Sequence, residues 1–115
     1  MTALILLDSL AVGGSETKSV RIVNEMAARG RNIHLAYLNG PETLLEKIDE
    51  RIPTTCLDRK GKFSITALRN LRNAIKKHEI SVLMCMNLYP LLYAAIVKLL
   101  FRHQSLKVIL AINTT

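Results

Sequence analysis

Residues 3–16 read ALILLDSLAVGGSE, and this stretch decides the fold. Five apolar residues without alternation, Ala3–Leu7, suit a strand covered on both faces, as at the centre of a parallel sheet. A polar turn follows at Asp8 and Ser9, then a paired-glycine loop at Gly13 and Gly14. Adjacent glycines let backbone approach a ligand or take positive φ, and Ser15 is placed to cap a helix by accepting a bond from an orphan N–H of its first turn. Strand, glycine loop and helix N-terminus in succession form the place where α/β sheets bind anions. The dinucleotide fingerprint needs three spaced glycines, and here there are two, followed by Glu16 where the helix dipole would otherwise meet phosphate. That excludes a standard NAD site. Two readings stay open: a ligand loop, or a tight turn whose Glu16 complements the positive helix end.

Downstream, Val20, Val23, Met26 and Ala27 recur at helical spacing opposite Lys18, Arg21, Glu25 and Arg29, the pattern of an amphipathic helix. Arg21 and Glu25 stand one turn apart and can pair. Gly30 is placed for the left-handed position that closes the helix, and residues 32–38 read as the second strand. Asn39-Gly40-Pro41 is a turn signal, with Pro41 opening a short acidic helix over residues 42–49. Residues 52–57 make a third strand, placed near an edge by Pro53 and two threonines. A basic loop at residues 58–62 leads to Ser64, which caps a helix with Ile65, Leu68, Leu71 and Ile75 on one face and Arg69, Arg72, Lys76 and Lys77 on the other. Residues 80–86 form the next buried strand. Asn87 ends it, and Leu88-Tyr89-Pro90 turns into an apolar helix over residues 91–101. That helix is too short to span a bilayer, which takes roughly 20 apolar residues, and reads as buried against the sheet. Residues 107–112 are the fifth strand.

Helices alternating with five strands give right-handed crossovers and a parallel sheet. The expected architecture is an α/β, Rossmann-like three-layer sandwich, one domain over residues 1–115, with strand order 3-2-1-4-5. That order puts a topological switch between the first and fourth strands, so the loops at residues 9–14 and 87–89 flank a crevice at the carboxyl edge. The candidate site is therefore Gly13, Gly14 and Ser15 as the loop, with Ser9, Asn87, Asn113 and Thr114 lining the cleft.

The chain is long enough for a real core, and half of it is apolar. The formal charge of +7 is unevenly placed: residues 1–57 carry six basic and seven acidic side chains, residues 58–115 ten and two. Such asymmetry suits either an anionic partner or a solvated outer face. A basic amphipathic helix can rest on an anionic membrane, so Arg69, Arg72, Lys76 and Lys77 are the candidate membrane or anion surface. Phe63 is the single aromatic near these charges, which argues against nucleic acid. Cys56 and Cys85 fall in expected strands and read as reduced, buried thiols. His34, His78 and His103 are far apart in sequence, with no metal-ligand spacing. The start has no basic n-region and its apolar run stops at Asp8, so no signal peptide is expected and the setting reads as cytoplasmic.

The opening LLDSLAVGGSE, with Gly13-Gly14-Ser15-Glu16, and the helix end at Ala27-Ala28-Arg29-Gly30 resemble the start of family 4 glycosyltransferases of GT-B architecture. The runs CLDRKGKFSITALRNLRNAIKKHEISVLMCMN and KVILAIN are similar in layout. The resemblance implies the N-terminal, acceptor-side half of a retaining enzyme that moves a sugar from a nucleotide-sugar donor to a saccharide or lipid acceptor. Gly13 and Gly14 would border the donor phosphates, and the basic face would lie on the cytoplasmic membrane. No cofactor is implied, since the nucleotide-sugar is a substrate. Many members have Pro-Asp before the fourth strand and histidine after the fifth, where this chain has Ile80-Ser81 and Asn113. The C-terminal donor domain is expected outside these 115 residues, leaving this part inactive alone and inclined to self-associate through an uncovered sheet edge. The alternatives are a stand-alone nucleotide- or anion-binding module and a basic membrane-surface domain.

Overall fold

The computed structural model describes residues 2–61, 64–100 and 106–110. Its elements are β1 (Ala3–Leu7), α1 (Gly14–Ala28), β2 (Ile33–Tyr37), β3 (Thr54–Cys56), α2 (Ile65–Lys77), β4 (Val82–Cys85), α3 (Leu88–Leu100) and β5 (Lys107–Leu110). The five strands form one parallel sheet in the order β3-β2-β1-β4-β5. This is the expected Rossmann-like arrangement. Asn113 and Thr114 lie outside the described residues, as do Lys62, Phe63 and His103.

Alternation along each strand divides the core in two. Leu4, Leu6, Ala36, Leu83 and Cys85 face one side, where α2 contributes Leu68, Leu71 and Ile75, and α3 contributes Tyr93, Ala94 and Val97. Ile5, Leu7, Leu35, Tyr37 and Met86 face the other, against Val20 and Val23 of α1 and against Leu44, Ile48 and Ile52. β1 lies at the centre of both cores, which is why its sequence is apolar without alternation.

The helix ends follow the local chemistry. Gly30 takes φ +76° after α1. Its N–H reaches the Ala27 carbonyl at 3.0 Å, while Arg31 N–H reaches Met26 at 3.0 Å, the paired bonds of a Schellman closure. Ser64 caps α2, its hydroxyl accepting from Ala67 N–H at 3.2 Å.

Several expectations are corrected. Ser15 does not cap α1; Gly13 does, in extended conformation and without a side-chain bond. Neither Gly13 nor Gly14 takes positive φ. Glu25 pairs with Arg29 at 2.8 Å instead of with Arg21. The acidic segment at residues 42–49 holds only a 3-10 turn, Leu45–Lys47. Its backbone is claimed elsewhere: Leu10 N–H bonds Pro41 at 3.0 Å, Leu44 N–H bonds Leu10 at 2.9 Å, and the Asn24 side chain bonds Lys47 O and Asp49 N–H. α3 starts at Leu88 instead of Leu91, because Pro90 sits in the first turn, where no intrahelical N–H bond is required. Its outer face is open, with Leu92, Leu99 and Leu100 exposed. Ile65 is 73% exposed, since at the first helical position it lies one turn from Arg69 on the outer face. Cys56 is exposed on the edge strand, whereas Cys85 is buried and burial pushes its thiol up to about 12.

Candidate functional site at the carboxyl edge

Between β1 and β4 the chain reverses its direction of travel across the sheet, and such a switch opens a crevice beyond the strand ends. Met86 N–H donates to Leu6 O at 3.2 Å, which carries the β1–β4 register on toward Asp8 and Asn87. The loop after β1 is held by Leu10, fully buried, and by a local turn in which Ser9 Oγ accepts from Ala11 N–H at 3.3 Å. Val12, at the loop's tip, is exposed.

Gly13 and Gly14 start α1 bare. A Cβ on Gly13 would collide with the Glu16 carboxylate, the movable end of a flexible side chain, and one on Gly14 would meet nothing within 4 Å. The fold therefore requires neither glycine for space or for positive φ. What they provide is a first helical turn whose N–H groups no side chain caps. Glu16, folded against Gly13, supplies a negative charge there, as the helix dipole favours. Ser15 contributes its carbonyl, which accepts from the buried Ser19 hydroxyl at 2.6 Å.

A second group completes the edge, and of it the sequence reading placed only Tyr89 at the crevice, within the loop at residues 87–89. Asp58 takes φ +56° after β3, and Arg59 N–H bonds Leu38 O at 2.8 Å. From there the Arg59 side chain crosses the ends of the strands. Its Nη1 donates to Asp8 Oδ1 at 3.2 Å, and its guanidinium lies over the Tyr89 ring, 5.0 Å from the centroid. Tyr89 and Tyr93 stack at 6.0 Å, and Tyr93 OH accepts Ser64 N–H at 3.0 Å. One chain of contacts thus links β1, the loop after β3, α3 and the cap of α2. No local pattern signals this, because Asp8 and Arg59 meet only through the strand order.

Asn87 precedes α3, its carbonyl accepting from Leu91 N–H at 3.2 Å. Its Oδ1 is buried and has no hydrogen-bond partner among the described residues. Ser9, Gly13, Gly14 and Asn87 thus belong to the two loops that flank the switch point. The basic helix does not: α2 runs away from this edge, and Lys76 and Lys77 lie in its last turn, where cations suit the negative helix end. Arg69, Lys76 and Lys77 are exposed, while Arg72 is half-buried.

Among the described residues, no group of three or more His, Cys, Asp or Glu side chains could hold a metal. The His34 and His78 rings meet at a tilt of 58°, their centroids 4.4 Å apart; burial and the His78 charge lower His34. Tyr37 donates its hydroxyl to Glu42, and burial, with that bond, raises its pKa. A 650 Å³ depression lined by Asn24, Lys47, Asp49 and Arg51 belongs to the segment before β3, away from the converging crevice groups.

The family model described as Glycosyltransferase Family 4 matches residues 12–114. The chain belongs to Glycosyltransferase Family 4. The match takes in the glycine loop, Arg59, α2, Asn87 and α3, so each part of the crevice except residues 8–11 lies within the family 4 region. No curated protein matches the chain. Among the described residues, no helix of this family 4 domain is long and apolar enough to cross a membrane.

Proposed function

We propose that this family 4 domain is the acceptor-side wall of a GT-B sugar-transfer cleft, receiving a saccharide or lipid acceptor for a sugar carried by a nucleotide-sugar donor. The supporting observation is the switch-point crevice itself, where the uncapped start of α1, Asp8 and Asn87 all follow the carboxyl ends of the neighbouring strands β1 and β4 in a chain of this family. The first turn of α1 offers N–H groups to donor phosphate, and Asn87 Oδ1 accepts a hydroxyl. Donor base and ribose recognition belong, in this reading, to a C-terminal domain closing on the crevice. Sugar transfer requires the donor held in line and water excluded, which needs groups converging from both walls. The chain alone is therefore inactive. The test is a transfer assay with UDP- and GDP-sugars, run on the purified chain and on the chain joined to a family 4 C-terminal domain. Turnover only in the joined form is expected; turnover by the chain alone would overturn the need for a second wall.

A second reading concerns placement. α2 and α3 cover the same face of the sheet, so exposed Arg69, Lys76 and Lys77 share an outer layer with exposed Leu92, Leu99 and Leu100. Basic residues facing anionic headgroups, each worth about 1 kcal/mol near the surface, and leucines entering the interface would set the domain peripherally on the cytoplasmic membrane. Co-sedimentation with anionic and neutral vesicles tests it. Preference for anionic vesicles supports the surface; equal binding, or none, removes it.

A further inference from the structure

Arg59 brings a cation to the crevice. Its side chain is only 22% exposed, yet of the five N–H donors a guanidinium carries, one alone meets a carboxylate among the described residues, at 3.2 Å. Charge-assisted N–H···O bonds run about 2.7–2.9 Å when well formed. Elsewhere in the same domain an arginine pairs fully, Arg51 engaging both oxygens of Asp49 at 3.0 and 2.7 Å. The Arg59 guanidinium nonetheless has a support, lying over Tyr89, which stacks on Tyr93, whose hydroxyl is bonded by Ser64 N–H. A planar cation that is mostly covered, set over an aromatic face and bonded through one N–H among the described residues presents a second edge suited to a two-pronged anion.

We infer that Arg59 is an anion-recognition residue of the acceptor pocket, and that the acceptor carries a phosphate group which takes the free edge of its guanidinium. The inference rests on the acceptor-side reading, and narrows the acceptor class to phosphorylated polyols or phospholipid headgroups. Asp8 orients the guanidinium and competes with the ligand for it. Its side chain is 47% exposed, so solvent weakens its hold, and a phosphate bound across two N–H groups outbids a carboxylate bound to one.

The experiment is a titration of the whole chain with inorganic phosphate, glycerol 3-phosphate and uncharged glycerol, following the Arg59 side-chain Nε–H by NMR. Phosphate and glycerol 3-phosphate are expected to shift this signal, and glycerol is not. Arg59→Ala should weaken glycerol 3-phosphate binding about tenfold or more, the loss of one charge-assisted contact, and Arg59→Lys should recover only part of it. Asp8→Asn distinguishes recognition from mere bracing: removal of the competing carboxylate should tighten phosphate binding several-fold, whereas an arginine whose purpose is the ion pair would gain nothing. Gly14→Val separates the two phosphate sources, because it blocks the start of α1 and leaves Arg59 intact. Glycerol 3-phosphate binding that survives in Gly14→Val supports the inference even if nucleotide binding fails. No shift at Arg59, unchanged affinity in Asp8→Asn, or equal loss in Gly14→Val would each overturn it.

Discussion

Two aspartate–arginine contacts in this domain are built differently. Asp49 and Arg51 are two residues apart, and Asp49 accepts from Arg51 backbone N–H, Nε and Nη2 at 2.9, 3.0 and 2.7 Å. Asp8 and Arg59 are 51 positions apart and share one bond at 3.2 Å. The first is a staple on an exposed turn, complete in itself. The second spans the carboxyl edge of the sheet and, among the described residues, leaves donors over, at the same edge as Asn87, whose buried oxygen has no partner among them. Where a folded chain satisfies its polar groups locally, nothing further is needed; where it orders them and leaves them incomplete, a ligand has something to bind.

That contrast can be broken from its support upward. Tyr93 is 1% exposed and carries the stack beneath Arg59, so Tyr93→Ala should cost about 3–5 kcal/mol in a urea titration while leaving the Asp49–Arg51 staple formed in the folded fraction. Tyr93→Phe keeps the ring and orphans the buried Ser64 N–H, an expected loss of about 1–3 kcal/mol with the denaturant slope unchanged. Ser64→Ala removes only the cap of α2, and thermal unfolding should register about 1 kcal/mol.

Gly14→Val should change stability by less than about 0.5 kcal/mol, as at an open surface position, and yet abolish UDP binding at the start of α1. A large destabilisation would show instead that the glycine serves the fold. The staple itself answers to pH. Hydrogen bonds from the Arg51 side chain, then from its backbone, lower Asp49 from 3.8 to about 2. The folded carboxyl being depressed, its contribution is fully present above the ordinary carboxylate range and is lost as pH falls from about 4 through about 2. A carboxyl-carbon NMR titration should find Asp49 there, and find it returned to the ordinary range in Arg51→Ala.

The layers of this domain were legible because each strand and helix carries its own signal. The apolar run at Ala3–Leu7, the Ser64 cap and the Gly30 closure are local features, and the parallel order follows from alternating helices and strands. The glycine loop was legible for the same reason, though Gly13 takes the capping position that Ser15 was expected to fill. Residues 42–49 were misread as helix because their fate is set by distant partners, Leu10 and Asn24. Arg59 read as one more charge in a basic loop, and Asp8 as a turn residue. Their pairing, and the Tyr89 face beneath the guanidinium, exist only once β3 and β4 lie on opposite sides of β1. Cys56 and Ile65 were assigned to the core from composition and spacing, whereas an edge strand and a first helical position expose them.

The most direct test of the crevice is an amide NMR titration of the purified chain with UDP, GDP and inorganic pyrophosphate. Shifts confined to Gly13, Gly14, Asn87 and the Asp8–Arg59 pair are the expected result, placing the donor phosphates at the edge where the sheet reverses. Shifts confined to Arg69, Lys76 and Lys77, or none at all with a well-dispersed spectrum, would contradict a phosphate-bordering role for this edge.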